Sequence, residues 1–418
     1  MFSRGALRTA ANRVRSVPAA PFLGSPLTRT CLEPTRRAVA GQSIEARRFV
    51  SAYGYQQAKA LVYSQYGEPK DVLKLHKHSI APPHGSQVTL RLLTAPLNPA
   101  DINQIQGVYP SKPPFDSTLG TGEPSAVAGN EGAFEVIATG SDVKNLKKGD
   151  WVIMKRTGQG TWRTHAQMEE SKLIKVDKEG LTPLQVGTVS VNPVTAYRMI
   201  KDFCNWDWLR AGEEWLIQNG ANSGVGRAAI QLAREWGIKT LNVVRDRPTP
   251  EETEALKKDL YELGATAVVS ESELLSGGSF KEYVNELTRK GKEPIRLGLN
   301  CVGGKNATAL AKTLAPGSQL VTYGAMSKQP VALPSGLLIF KDLVFSGFWV
   351  SKWGDKHPEL KEDTINDVLR LTRAGKFKDI PVQEVKWTFD KGETELAEEV
   401  NGTLGGFRSG KGVFVYEE

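Results

Sequence analysis

The chain has 418 residues, of which 40% are hydrophobic and 24% are charged, and a formal net charge of +8. This length suggests two domains with additional segments, and the composition is ordinary for a soluble enzyme. No apolar run approaches the roughly 20 residues that a membrane helix needs. Outside the N-terminal segment only Cys204 and Cys301 remain, so the cysteines form neither a disulfide framework nor a C-x-x-C motif, and a reducing compartment fits.

The N-terminal segment carries most of the excess charge. Residues 1–48 contain nine arginines, no lysine and two glutamates, so +7 of the total +8 lies in this segment. A segment rich in Arg, Ser and Ala and poor in acids is typical of mitochondrial transit peptides. We therefore predict a transit peptide over residues 1–49, with processing near Arg47-Arg48-Phe49, and a location in the mitochondrial matrix. A basic arm that binds nucleic acid is the alternative, but no lysine cluster or aromatic platform follows it.

The next segment predicts a small β-barrel. From Lys59 to Val176, short apolar runs alternate with Gly, Pro and Asp, as they do in compact all-β units. The predicted strands cover residues 72–75, 88–93, 133–138, 151–154 and 173–176. A helix predicted over residues 193–203 then leads out of the barrel.

A glycine-rich turn follows, between a strand and a helix. An apolar run over residues 214–219 leads into Gly220-Ala221-Asn222-Ser223-Gly224-Val225-Gly226, and an amphipathic helix and a second apolar run, residues 240–244, come next. In this βαβ order the glycines let the backbone approach a pyrophosphate, and the helix N-terminus faces its charge. The pattern predicts a dinucleotide-binding site.

The residues after the second strand indicate which dinucleotide is bound. Asp246 lies at about the distance where an NAD site places its acidic residue, but Arg245 and Arg247 flank it. Two guanidinium groups suit a 2′-phosphate, which accepts bidentate hydrogen bonds. The sequence therefore favours NADPH, and a solvated surface loop is the alternative.

From Arg247 onward, strands and helices alternate. Helices are predicted over residues 250–263, 280–287 and 307–314, and strands over residues 267–269, 296–301, 319–323 and 343–349. This alternation predicts a parallel, doubly wound sheet. A helix over residues 359–374, a strand over 383–387, a helix over 394–400 and a strand over 412–415 complete the chain. The β character at the C-terminus suggests that the chain returns to the barrel.

This order of domains resembles the medium-chain dehydrogenase/reductase superfamily over residues 55–418. The resemblance lies in Gly129-Asn130-Glu131-Gly132, in Leu146-Lys147-Lys148-Gly149-Asp150 and in residues 191–197. It implies an α/β fold: a GroES-like β-barrel catalytic domain and a doubly wound Rossmann cofactor domain. The implied domains are residues 50–190 (catalytic barrel), 191–352 (NADPH-binding Rossmann domain) and 353–418 (return to the catalytic domain).

Within the superfamily, the chain is similar to the mitochondrial trans-2-enoyl-thioester reductases of fatty-acid synthesis. Residues 97–110, residues 245–247 and residues 323–326 carry the likeness, and the first stretch contains the family's catalytic tyrosine at Tyr109. The family's NADPH contacts are implied for Asn192, Asn222, Ser223, Gly224, Val225, Arg245, Asp246, Arg247, Tyr323, Gly324, Ala325, Met326, Phe348, Trp349, Val350 and Lys411. Ser223 is a departure, since many members of the superfamily have a glycine there.

The resemblance also raises the question of zinc, which many superfamily members bind through Cys, His and carboxylate ligands. No cysteine lies between residue 50 and residue 190, and the histidines are scattered; only His76 and His78 could share a strand face. We therefore expect no metal. Reduction of an enoyl thioester needs none: NADPH would deliver hydride, and the Tyr109 hydroxyl would stabilise the developing enolate oxygen.

Two further expectations follow from the resemblance. The substrate would be an enoyl thioester carried by CoA or by an acyl carrier protein, with no nucleic-acid partner and no membrane partner. A homodimer would form through the exposed edge of the last sheet strand.

A zinc-free NADPH quinone reductase on the same fold is the alternative activity. A binding protein with an inactive reductase fold is a second alternative, disfavoured because nearly all excess positive charge lies in the N-terminal segment.

Overall fold

A computed structural model describes residues 54–402 and 410–417, so the predicted transit peptide lies outside the described residues. The first lobe begins with eight strands and three short helices. The strands are β1 (Gln56–Tyr63), β2 (Lys74–Ile80), β3 (Gln87–Pro96), β4 (Ala126–Val127), β5 (Ala133–Thr139), β6 (Trp151–Met154), β7 (His165–Glu169) and β8 (Leu173–Val176). The helices are α1 (Pro69–Val72), α2 (Pro99–Ile105) and α3 (Pro183–Gly187).

The second lobe alternates strands with helices. Its strands are β9 (Trp215–Gln218), β10 (Lys239–Val244), β11 (Ala267–Ser270), β12 (Ile295–Asn300), β13 (Gln319–Thr322) and β14 (Val344–Gly347). Its helices are α4 (Asn192–Asp202), α5 (Gly224–Glu235), α6 (Pro250–Leu263), α7 (Glu271–Leu274), α8 (Gly278–Leu287), α9 (Gly304–Thr313) and α10 (Ser335–Lys341). The chain then continues through α11 (Val350–Lys356), α12 (Pro358–Arg373), β15 (Val382–Thr388), α13 (Glu393–Gly402) and β16 (Lys411–Glu417).

The six strands of the second lobe form one parallel sheet in the order β11-β10-β9-β12-β13-β14. Helices cover both faces, because successive side chains of a strand point to opposite sides. On β9, Leu216 packs toward α4, α5 and α12, whereas Ile217 packs toward α8, α9 and α10. This is the doubly wound sheet that the strand and helix pattern predicts.

The first lobe is organised around β3. One edge of this long strand pairs with β5, and the other edge pairs first with β7 and then with β16 from the end of the chain. In the β16 pairing, Val415 is opposite Thr94 and Val413 is opposite Pro96. A separate three-stranded sheet has the order β2-β1-β4. The C-terminal strand β16 thus pairs with β3 of the first lobe.

Two predicted strands include residues that the structure places in a helix or at its N-cap. The strand predicted over residues 72–75 starts two residues later, because Pro69 at the first helical position begins a short helix that ends at Val72. The strand predicted over residues 343–349 ends at Gly347, and Trp349 is the N-cap of α11. Within residues 54–402 and 410–417, no helix is long and apolar enough to cross a membrane.

Candidate active site

The glycine-rich turn joins β9 to α5 at the carboxyl end of the parallel sheet. Ser223 is the N-cap of α5, and its hydroxyl accepts a hydrogen bond from the Gly226 N–H at 3.1 Å. The serine therefore caps the helix and does not break the turn. A Cβ atom at Gly226 would lie 2.5 Å from the carbonyl oxygen of Ala221, so glycine is needed for this close approach. The first N–H groups of such a helix have no partner within it and attract a phosphate.

The side chains of two residues in the turn have partners within the protein. The side-chain Oδ1 of Asn222 accepts a hydrogen bond from Arg227 Nη1 at 3.2 Å, and Arg227 also pairs with Asp259. Val225 is buried in the core beneath the sheet. We therefore expect backbone N–H groups of Asn222 and Val225, rather than their side chains, to contact a cofactor.

Asn98 connects the barrel lobe to the glycine-rich turn. Its side-chain oxygen accepts hydrogen bonds from Asn192 Nδ2 at 3.3 Å and from the Lys411 ammonium. Asn192 in turn packs on the turn, since a Cβ at Gly224 would lie 2.8 Å from Asn192 Nδ2. Three residues predicted to contact the cofactor, Asn192, Gly224 and Lys411, thus lie close together although they are distant in the sequence. The buried Asn98 that connects them is not among the predicted site residues.

Two buried carboxylates support this junction. Glu131 accepts hydrogen bonds from Asn98 Nδ2 at 3.0 Å and from the Val191 N–H at 2.8 Å, immediately before α4 begins. Asp101 accepts from the Asn98 N–H and from Asn130 Nδ2, each at 2.7 Å. Burial raises the pKa of Asp101 to about 6 and also raises the pKa of Glu131, while the nearby Lys411 charge opposes both shifts. The carboxylates fix the entrance of the cofactor lobe against the barrel.

The Asn130-Glu131 pair was noted only as a family landmark, and Asp101 only as part of the tyrosine-containing stretch. The signal at Glu131 is a charged residue that, with Asn130, interrupts a run of small and apolar residues over 127–134. Such a residue is costly to bury without partners. The partners come from α2, the loop before β5 and the start of α4, so sequence spacing alone could not reveal them.

Tyr109 lies after α2 and contacts Trp349 from the other lobe. Trp349 Nε1 donates a hydrogen bond to the Tyr109 hydroxyl oxygen at 2.8 Å, and the two rings pack edge to face with centroids 5.7 Å apart. Burial raises the pKa of Tyr109 above its ordinary value, and the hydrogen bond from Trp349 opposes this shift. The phenol is therefore protonated at neutral pH, and its own hydrogen can be donated to another acceptor.

The Arg245-Asp246-Arg247 segment directly follows β10. Asp246 accepts hydrogen bonds from the Ser272 N–H at 3.0 Å and from the Ser272 hydroxyl at 2.7 Å, so it is held against the start of α7. Burial and the neighbouring Arg245 charge lower the pKa of Arg247. Two guanidinium groups near each other favour an anion between or beside them. This arrangement fits a 2′-phosphate better than a ribose bound by Asp246.

The segment after β13 lies against the β12 end. The Tyr323 N–H donates to the Asn300 carbonyl, and the Met326 N–H donates to the Cys301 carbonyl, both at 2.9 Å. A Cβ at Gly324 would approach Cys301 Cβ to 3.2 Å. Burial and the Cys301 thiol raise the pKa of Tyr323 well above its ordinary value. Ala325 completes this turn, through its carbonyl, which accepts from the Lys328 N–H.

The aromatic stretch after β14 divides between core and site. Phe348 is 8% exposed and packs edge to face on Phe203, so its side chain is part of the core. Trp349 points to Tyr109 instead, and Val350 begins α11 against the same core as Phe348. Of these two aromatic residues, Trp349 therefore reaches the proposed catalytic tyrosine and Phe348 packs in the core.

The sheet order explains why these segments come together. The glycine-rich turn follows β9, the arginines follow β10, and Tyr323 follows β13. These strands are parallel and lie within four consecutive positions of the sheet. Their carboxyl ends share one edge, which is where open α/β sheets bind ligands. Three features fit a phosphorylated dinucleotide: the N-terminus of α5, the two arginines, and the tight turn in which Gly226 packs on the Ala221 backbone. Among the described residues, no group of three His, Cys, Asp or Glu side chains could hold a metal ion.

Comparisons with known proteins agree with this architecture. Residues 84–190 match the alcohol dehydrogenase GroES-like domain and residues 224–369 match the zinc-binding dehydrogenase family. The chain is 46% identical over 85% of its length to the mitochondrial enoyl-[acyl-carrier-protein] reductase of Yarrowia lipolytica, of which 90% is covered. It is also 43% identical, over 77% of its length and 83% of the relative, to a protein of Kluyveromyces marxianus named NADPH quinone oxidoreductase.

Two solved structures are similar over 86% of the chain and all of theirs, each with a TM-score of 0.81. One is the Etr1p/NADP/crotonyl-CoA complex, at 38% identity, and the other is the mitochondrial 2-enoyl thioester reductase Etr1p/Etr2p heterodimer from Candida tropicalis, at 39% identity. The predicted fold class, a GroES-like barrel with a doubly wound cofactor domain, is confirmed. This chain belongs to the family of mitochondrial enoyl-[acyl-carrier-protein] reductases.

Proposed function

We propose that this protein reduces trans-2-enoyl thioesters with NADPH in mitochondrial fatty-acid synthesis. The observation that carries the proposal is the Tyr109–Trp349 pair, in which a protonated phenol is held by a 2.8 Å hydrogen bond from the indole. The family membership supports the same activity. So does the Etr1p complex with NADP and crotonyl-CoA, because that ligand is a trans-2-enoyl thioester.

The pair supplies the electrophilic half of the reaction. Bound NADPH would supply a hydride to the β-carbon, which places negative charge on the thioester oxygen. Because Trp349 Nε1–H donates to the phenol oxygen, the indole does not take the Tyr109 hydrogen, which can be donated to a substrate acceptor. Tyr109 stabilises the thioester oxygen by donating this hydrogen bond, as donors in an oxyanion hole do. A proton then reaches the α-carbon and completes the saturated thioester.

The proposed cofactor contacts can be grouped by the part of NADPH that each residue would bind. Arg245 and Arg247 bind the 2′-phosphate, and the N-terminus of α5 binds the pyrophosphate. Asn192 and Lys411, which meet at Asn98, contact the part of the cofactor that reaches the barrel lobe. The remaining proposed contacts are Asn222, Ser223, Gly224, Val225, Asp246, Tyr323, Gly324, Ala325, Met326, Phe348, Trp349 and Val350.

We propose the domain limits of the sequence analysis as well, residues 50–190, 191–352 and 353–418. The first limit is supported by α4, which begins at Asn192. The boundary between residues 352 and 353 does not coincide with a gap in the hydrophobic core. Ile365 and Val368 of α12 lie in a core cluster with residues of both lobes, so this helix joins the two domains.

A homodimer is the assembly we propose. β14 is an edge strand of the parallel sheet, and Val344 on it is 50% exposed. Next to it in sequence, Leu338, Ile339 and Phe340 of α10 are 48%, 70% and 83% exposed. An exposed edge with an apolar flank favours pairing with a second chain. The Etr1p/Etr2p heterodimer shows that a relative associates in pairs. CoA and an acyl carrier protein are both proposed carriers of the substrate.

The test is a turnover assay on the chain from residue 50 onward, with NADPH and crotonyl-CoA. We expect loss of NADPH absorbance that depends on crotonyl-CoA, and much slower turnover with NADH. The name of the Kluyveromyces marxianus relative makes a quinone the second substrate to test. Oxidation of NADPH by the quinone with none by crotonyl-CoA would replace the proposed activity with the alternative one.

A further inference from the structure

The cofactor lobe contains a cavity outside the proposed active site. It has a volume of about 1180 Å³, and its walls come from α7, α8, α9, the loop over residues 327–332 and the end of α10. None of the residues proposed to bind NADPH or to act on the thioester lines it. Ligand pockets usually measure about 300–1000 Å³, so this cavity is large enough for an organic molecule.

Two neighbouring helices face the cavity rather than each other. The wall contains Phe280, Lys281, Val284 and Asn285 from α8, and Lys305, Asn306, Thr308, Ala309, Lys312 and Thr313 from α9. Each set recurs at helical spacing, so each occupies one side of its helix. Helices on a common sheet face ordinarily fill the space between them, because protein interiors contain few voids larger than water. The space between α8 and α9 is therefore not filled by side chains of either helix.

The inner wall is aliphatic. Leu274, Phe280 and Val284 are all less than 9% exposed, and Val302 and Ala309 continue the surface. Phe280 is the one aromatic residue among the described lining residues, so the cavity offers no pair of rings between which a base could stack. This surface suits a flexible hydrocarbon chain better than a nucleotide.

The rim is positively charged. Lys281, Lys305, Lys312 and Lys341 line the cavity, and none of them takes part in an ion pair among the described residues. Lys341 Nζ donates to the carbonyl oxygens of Lys312 and Leu314, each at 2.8 Å, which places its charge at the end of α9.

Burial and the nearby Lys281 charge lower the pKa of Lys341, as expected when ammonium groups stand near each other without an acid between them. The lining includes one carboxylate within the described part of the chain, Glu271, which accepts from Asn306 Nδ2 at 3.0 Å.

We propose that this cavity binds an amphipathic anion that carries a long acyl chain. Its hydrocarbon chain would lie between α8 and α9, and its negatively charged head would lie among the lysines. The ligand is held outside the cleft where the thioester would react. It therefore acts as an effector or as a stored ligand, and not as a substrate. A free fatty acid and a fatty acyl-CoA share this chemistry, and the experiment below distinguishes them.

The test is isothermal titration of the chain from residue 50 onward, with saturating NADP⁺ and crotonyl-CoA to occupy the cleft, since the oxidised cofactor has no hydride to transfer. The probes are octanoate, dodecanoate, dodecanoyl-CoA, CoA alone and dodecanol. We expect dodecanoate to bind at least tenfold more tightly than octanoate, since each added buried methylene can raise affinity up to roughly fourfold. We expect dodecanol and CoA alone to bind at least tenfold more weakly than dodecanoate. Tighter binding of dodecanoyl-CoA than of dodecanoate would identify the thioester as the source, and the reverse would identify the free acid.

Two variants locate the site. Ala309→Trp fills the space between the helices and is expected to abolish binding while turnover of crotonyl-CoA is unchanged. In case the filled variant fails to fold, Lys281→Glu with Lys312→Glu is expected to weaken dodecanoate at least tenfold, with Lys258→Glu on an exposed part of α6 as the matched control. Equal affinities for octanoate and dodecanoate, or binding unaffected by these variants, would overturn the proposal. Absence of binding would overturn the proposal too. This result would mean either that the cavity does not accommodate an acyl chain or that a second copy of this protein covers it.

Discussion

At the scale of single residues, the proposed chemistry depends on the Tyr109 hydroxyl. Tyr109→Phe removes the donor but keeps the ring that packs on Trp349. Loss of one oxyanion donor typically lowers kcat by about 10²–10³-fold, and we expect a loss in that range for crotonyl-CoA. The Kd for NADPH, measured by fluorescence titration, should stay within about twofold. A variant with full turnover would exclude Tyr109 from the mechanism.

The choice of cofactor is also set by individual side chains. Arg245→Ala combined with Arg247→Ala removes both guanidinium groups proposed for the 2′-phosphate. A hydrogen bond to a charged group contributes about 1.5–3 kcal/mol, so the Kd for NADPH should rise by roughly 10²-fold or more. The Kd for NADH should change little, because NADH carries no 2′-phosphate. If both cofactors weakened equally, the arginines would be supporting the turn and not reading the phosphate.

At the scale of elements, the turn between β9 and α5 is the part with least freedom. Gly226→Ala places a Cβ atom 2.5 Å from the Ala221 carbonyl oxygen, and backbone atoms cannot move aside as a flexible side chain can. We expect a loss of about 1–3 kcal/mol in the free energy of unfolding and a tenfold or greater rise in the Kd for NADPH. Gly122→Ala is the matched control, since nothing lies within 4 Å of its Cβ position. Equal thermal shifts for the two variants would contradict this account.

The elements that the sequence predicted well are those whose pattern is local. The runs at residues 151–154 and 173–176 coincide with β6 and β8, and the helix predicted over residues 250–263 coincides with α6, which ends at Gly264 with a φ of 113°. In each case apolar spacing and a turn or cap residue mark both ends. The same reasoning located the glycine-rich turn and the arginines after β10.

The elements that were missed depend on distant partners. β7 contains His165, Gln167 and Glu169 and has little strand character of its own, but β3 pairs with it along its length. The helix α2 is the exception, since its signals, Asn98 at the N-cap and a proline at the first helical position, are local. The junction of Asn98 with Lys411 joins residues 313 positions apart, which no local pattern contains.

At the scale of the whole molecule, the exposed edge of β14 is expected to hold two chains together. Val344→Lys combined with Phe340→Glu places charges on that edge and on the exposed face of α10. We expect light scattering after size exclusion to give the monomer mass, because charged residues on an edge strand oppose pairing. Leu209→Glu is the control, since Leu209 is 97% exposed elsewhere on the lobe. A variant that kept the mass of a dimer would place the interface on another surface.

Global stability should fall in mild acid because of buried histidines in the barrel. His165 is fully buried, and burial, with Arg91 and His78 nearby, lowers its pKa to about 3. In the unfolded chain its pKa is about 6.5. Below that value the unfolded chain binds a proton that the folded chain excludes, so stability is lost as the pH falls, by about 2 kcal/mol at pH 5 for this one group. Asp101 acts in the opposite sense, since its raised folded pKa of about 6 favours the folded state as the pH falls toward 3.8.

The contribution of His165 can be isolated by comparison with His165→Gln, which cannot titrate. Urea unfolding at pH 7 and at pH 5 gives the free energy of unfolding of both proteins. The variant is expected to be the less stable at pH 7, because a well-packed ring against Tyr416 is lost. The difference between the two proteins should shrink by about 2 kcal/mol at pH 5, where only the wild type pays for keeping the imidazole neutral. A difference independent of pH would mean that the folded chain admits the proton at His165.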